Sequence, residues 1–126
     1  MSVHALTTME PNLRRKVTDK QINRLVEVVK QLRLQKREMS AQELATLFYI
    51  GSRNDCHKTA LEQDLNFTTA SSSRNTDRLS KEHRIVSKAG LDLITKEVEE
   101  VGKRQRLKLT KKGEDLMTQI KSILYD

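Results

Sequence analysis

From residue 18 onward the apolar positions fall into helical spacing. Ile22, Leu25, Val26, Val29 and Leu32 recur at intervals of three and four, with Val28 alongside. Thr18 and Gln21 have capping-box spacing, so a first helix is predicted from Thr18 to about Lys36, with cations crowding its last turn. Ser40 and Glu43 repeat that spacing and open a second helix. Leu44, Leu47, Phe48 and Ile50 form its apolar side, and Gly51 is its expected end. Asn54 or Asp55 is expected to cap a third helix carrying Leu61 and Leu65. Asn66 tolerates the left-handed backbone of a tight turn. Phe67 follows, then Thr68 as the cap of a fourth helix over residues 68–79. Two short helices joined by a short turn make a helix-turn-helix.

After Ile85 and Val86 the period changes. Leu91, Leu93 and Ile94 start an extended stretch to about Val98, and residues 99–103 read as a hairpin tip. The return strand alternates, with Leu107 and Leu109 on one side and Arg104, Arg106 and Lys108 on the other. Thr110 then caps a last helix bearing Leu116, Met117, Ile120, Ile123 and Leu124. The expected fold is mainly α, with five helices and a β-hairpin wing: a winged helix-turn-helix over residues 17–126, with terminal helices that dimerise. Residues 1–16 lack a period and are expected to form a flexible arm, its Arg14, Arg15 and Lys16 either solvated or laid on DNA phosphate.

Composition sharpens this. With 126 residues, 36% hydrophobic and 3% aromatic, the core must be built from Leu, Ile and Val. The net charge is +7, and residues 67–113 carry 12 Lys/Arg against 6 Asp/Glu, so the excess lies where the helix-turn-helix and wing are predicted. A basic field of this kind attracts phosphate. A lone cysteine excludes an intrachain disulfide. Cys56 beside His57 near a helix start leaves a redox switch conceivable, with a structural thiol the plainer reading. His4, His57 and His83 lack metal-ligand spacing, and no catalytic dyad or phosphate loop is present. Neither a signal peptide nor a membrane span is expected, so a cytoplasmic, nucleoid-associated protein is, with no enzyme activity, cofactor or metal.

The early residues of a groove-bound helix face bases and phosphates. Here they are Thr68, Thr69, Ser71, Ser72, Ser73, Arg74 and Asn75. Arginine can bond guanine through two hydrogen bonds and asparagine adenine likewise, while serine and threonine hydroxyls suit phosphate. Arg78 is expected to grip phosphate, and Lys103, Arg104 and Arg106 to meet a neighbouring groove or the backbone. Ile22, Val26, Val29, Ile120, Ile123 and Leu124 are the expected dimer interface, packing within one chain or against a second copy.

The stretch FTTASSSRNTDRLSKEHRIV (67–86) resembles the turn and reading helix of the MarR-like winged-helix regulators. LTKKGEDL (109–116) is similar to that family's junction between wing and final helix, and residues 40–50 to its helix leading into the motif. The resemblance implies a homodimer that binds an inverted-repeat operator and controls transcription, with Ser71, Ser73, Arg74 and Arg78 at positions that usually touch DNA. Ser72 and Thr76 stand where the family is usually apolar, and Glu62 where it is usually small, so a less firmly anchored reading helix is expected. The chain also ends after one C-terminal helix where the family usually has two, a pattern that suits a divergent regulator of phage or plasmid type. A winged-helix adaptor for protein contacts in a replication or partition complex is the alternative. Single-stranded RNA binding is disfavoured by the lack of aromatics in residues 68–112, and whether a small-molecule effector acts is open.

Overall fold

The structure is a computed structural model, and it describes residues 19–81 and 90–125. Helix α1 spans Lys20–Gln35 and α2 Ala41–Arg53, followed by the short strand β1 (Asp55–His57) and α3 (Lys58–Leu65). Helix α4 covers Thr69–Leu79, strands β2 (Ile94–Val98) and β3 (Gln105–Leu109) form the hairpin, and α5 runs from Lys111 to Tyr125. Among the described residues, five helices and a small antiparallel sheet make a winged helix. The basic cluster at 14–16 and the arm around it lie outside the described residues, as do Thr18, His83, Ile85 and Val86.

Local chemistry sets most boundaries. Asp19, one residue after the expected cap, starts α1, its Oδ1 accepting from the Ile22 amide at 3.0 Å. Ser40 and Glu43 form the full capping box at α2. Gly51 does not end that helix. A Cβ there would lie 2.6 Å from the Met117 sulfur, so the glycine serves the close approach of α5 instead. Asn54 (φ 66°) ends α2. Residues 55–57 then form a third strand, antiparallel to β3 in the sheet order β1-β3-β2. Neither Asn54 nor Asp55 therefore caps α3, which begins at Lys58 with no side-chain cap. Asn66 is left-handed and Thr68 caps α4, both as expected from sequence.

The core joins the sheet to the helices. Leu47, Ile50, Leu61, Leu79, Leu93 and Leu107 are completely buried, with Val28 and Leu32 of α1 and Leu116, Met117 and Ile120 of α5 around them. Leu79 is the single apolar residue that α4 contributes. The Leu91 amide donates to the Arg78 carbonyl and the Leu93 amide to that of Leu79, so main-chain hydrogen bonds hold the end of α4 to the start of the wing. The Thr110 amide then donates to the Leu93 carbonyl and closes the base of the hairpin. The wing thus hangs directly from α4. Among the described residues no helix is long and apolar enough to cross a membrane.

Candidate nucleic-acid interface

A helix that brings one apolar side chain to the core needs another anchor. In α4 the anchor is polar. Ser72, Thr76, Asn75 and Ser71 face inward with Leu79, at the spacing of one helical face. Ser72 Oγ donates to Glu62 Oε2, which also takes the Lys58 ammonium at 2.7 Å. Ser71 Oγ and Asn75 Nδ2 both donate to Gln42 Oε1, at 2.8 and 3.0 Å. Asp77 pairs with Lys96 of β2. Polar tethers therefore tie α4 to α2, α3 and β2. Thr76 satisfies its hydroxyl on the Ser72 carbonyl at 2.8 Å. Burial works to raise the pKa of Glu62, but the hydrogen bonds from Lys58 and Ser72 and the Lys58 charge outweigh it, leaving the carboxyl below its ordinary 4.5.

Ser72 and Glu62, the two residues expected to loosen the reading helix, are thus partners of one another. The expected weak anchoring is replaced by a hydrogen bond across the helix-turn-helix. Three of the expected DNA contacts change as a result. Ser72 and Asn75 are buried, so their side chains hold the helix to the body. Ser71 is nearly as buried, and its hydroxyl is committed to Gln42.

What remains outward is Thr68, Thr69, Ala70 and Arg74, with Ser73 half-buried beside them. Arg74 makes no ion pair or hydrogen bond among the described residues. Arg78 lies on the flank towards α2, 42% exposed, its guanidinium 4.0 Å from the buried Glu43 carboxylate that Lys36 holds at 3.0 Å.

The wing sorts its charges. His57 takes Glu99 at 2.5 Å and Lys108 takes Glu97 at 3.3 Å. Two of the wing carboxylates are thereby engaged, while Lys103 and Arg104 at the tip are exposed and unpaired among the described residues. The tip turns through Gly102 (φ 83°) and Lys103 (φ 56°). Arg106 does not belong to the tip. It sits in β3 opposite His57 and pairs with Asp55 at 3.2 Å.

The six residues expected at a dimer interface divide. Ile120 is in the core, and Ile123 and Leu124 are half-buried against it. Ile22, Val26 and Val29 are about half exposed, with Leu25 beside them in the same condition. Cys56 is a half-buried free thiol in β1, where burial and the Asp55 charge push its pKa up. That environment opposes a thiolate.

Sequence reasoning missed Gln42 and Lys96 and did not pair Glu62 with Ser72, the contacts that hold α4 in place. The signal for Glu62 was present: a charge where a small residue is usual, ten positions before a serine where an apolar residue is usual.

Comparison with known proteins agrees on the fold. No family model matches the chain, and no curated protein matches it either. Among solved structures it is similar to that of disulfide-formed AbfR, with a TM-score of 0.54, 12% identity, and coverage of 98% of this chain and 83% of that one. At that identity the likeness is one of fold.

Proposed function

We propose that this protein is a sequence-specific double-stranded DNA-binding regulator of transcription that acts as a homodimer on an inverted-repeat site. The observation that carries the proposal is Arg74, unpaired among the described residues, on the outward face of a helix whose inward face is committed to the protein body. A helix so oriented presents Thr69, Ala70, Ser73 and Arg74 to a groove, with small neighbours that let the backbone come close. Lys103 and Arg104 at the wing tip extend the cationic surface to adjacent phosphates.

The exposed stripe Ile22, Leu25, Val26 and Val29 supports the dimer, because apolar positions at this spacing ask for a partner surface. A two-fold pair would place its α4 helices about 34 Å apart, one DNA turn. In this reading no chemistry is catalysed; the protein works by occupying DNA.

The test is selection of duplexes from random-sequence DNA, followed by titration at two salt concentrations. A preferred sequence with a steep salt dependence is the expected result. Arg74→Ala should cost about 1–3 kcal/mol and relax the preference at one base pair per half-site. Loss that is equal on all sequences would reduce Arg74 to a phosphate contact, and the absence of any selected duplex would leave the adaptor reading in front. Val26→Glu should shift the sedimentation mass to one chain and weaken operator binding; a mass of one chain in the wild type would remove the dimer.

A further inference from the structure

Gln42 was not marked by sequence, and α4 uses half of it. Its residue is exposed in the first turn of α2, yet its Oε1 is turned inward and accepts from both Ser71 Oγ and Asn75 Nδ2. Two donors fill the acceptor capacity of that oxygen. The other end of a carboxamide is an NH2 group with two donors. With the oxygen fixed inward, this NH2 is fixed outward, and it has no hydrogen-bond partner among the described residues. A freely rotating glutamine on a surface loses rotamer entropy when it binds anything. Here most of that ordering is already imposed by Ser71 and Asn75.

The flank on which this amide sits is informative. Around α4, the positions of Ser71, Asn75 and Arg78 form the side towards α2, next to the outward-facing Arg74. A helix lying in a groove brings its outward face to the bases and its flanks to the sugar–phosphate walls. The Gln42 amide stands on one such flank, in the same row as Arg78.

We infer that Gln42 is a DNA-phosphate ligand, its NH2 group aimed at a backbone oxygen by the two hydrogen bonds that Ser71 and Asn75 make to its carbonyl. The inference rests on the DNA-binding function proposed above. Ser71 and Asn75 thereby act twice, tethering α4 to α2 and pointing a donor at the backbone. It also makes the α2 contact register-sensitive, since the amide reaches its phosphate when α4 is docked.

The substitution Gln42→Glu separates pointing from packing. A carboxylate accepts from Ser71 and Asn75 as the amide oxygen does, so the unfolding midpoint should match that of the wild type. The second oxygen then faces the phosphate with the wrong charge. The probe is a duplex obtained by selection with the wild-type protein, carrying a neutral methylphosphonate at one backbone position at a time. Wild-type binding should weaken about fivefold when the facing phosphate is neutralised, the difference between a charge-assisted and a neutral hydrogen bond. For Gln42→Glu the sign reverses, and the same methylphosphonate strengthens binding. Gln42→Met, which has neither donor nor acceptor of any strength, should be indifferent to that position. A lowered unfolding midpoint in Gln42→Glu would mean that the amide is reversed, and identical methylphosphonate profiles for all three proteins would mean that it touches no phosphate. Either result overturns the inference while leaving DNA binding intact. Failure of the wild type to select any duplex would instead sink the function on which it rests.

Discussion

Removing Glu62 tests whether α4 is held by polar contacts. In Glu62→Ala the Lys58 ammonium loses the carboxylate at 2.7 Å, in a place where the two side chains are 11% and 14% exposed. Breaking a buried ion pair from one side costs about 3–5 kcal/mol, because the charge left behind is poorly solvated. The sliver of Lys58 that reaches water reduces this to about 2–3 kcal/mol. Ser72 adds little, since its single hydroxyl proton can turn to the Thr69 carbonyl 3.1 Å away. The converse change, Ser72→Ala, leaves the ion pair whole and forfeits one hydrogen bond, about 1 kcal/mol. The triple change Lys58→Met, Glu62→Ala, Ser72→Val moves side-chain volume from α3 to α4 and leaves no charge. It should return to near wild-type stability, as apolar replacements of buried ion pairs do. Urea unfolding at neutral pH measures all three, with an unchanged denaturant slope as the condition for comparing midpoints. A loss of under about 0.5 kcal/mol in Glu62→Ala, or a triple variant as unstable as Glu62→Ala alone, would refute the claim that this pair and its hydroxyl anchor the helix.

Acid should expose the same contact. The Glu62 pKa is lowered in the folded chain, so its stabilisation is fully present above the ordinary 4.5 and is lost as pH falls through the lowered folded value. Urea midpoints followed downward from about pH 5 should fall less steeply in Glu62→Gln than in the wild type; parallel curves would argue against the shift. Gly113→Ala should lower the melting temperature sharply, because the added Cβ would lie 2.1 Å from the Leu93 carbonyl oxygen, which is main chain and cannot step aside. Gly51→Ala should cost less, since there the obstacle is the Met117 side chain.

Order and type of the helices were legible because each carries its own periodic apolar side or its own cap. Ser40, Asn66, Thr68 and Thr110 all act as sequence proposes. Strand β1 was not legible. Three residues are too few to show alternation, and Asp55–His57 becomes a strand because β3 offers an open edge. Gly51 misled for a related reason: its purpose lies in Met117 on the last helix, and no local rule contains that contact. The site divides along the same line. Arg74 could be placed outward from the spacing of α4 alone. The same spacing, counted back from Leu79, puts Ser72 and Asn75 inward, but both residue types suit DNA as well as a protein interior, and their partners Glu62 and Gln42 lie on other helices.

A polar inner face has a consequence for how α4 meets a target. Apolar contacts tolerate sliding, since one methyl group packs nearly as well as another. Hydrogen bonds do not, because a donor displaced from its acceptor inside a protein stays desolvated with nothing to offset it. With Ser72 on Glu62, Ser71 and Asn75 on Gln42, and Asp77 on Lys96, rotation of α4 about its axis breaks contacts to α3, α2 and β2 together. The angle at which Arg74 leaves the surface is then set by three elements rather than by one leucine. The polar residues that make this helix look poorly anchored are, taken with their partners, a means of fixing its orientation.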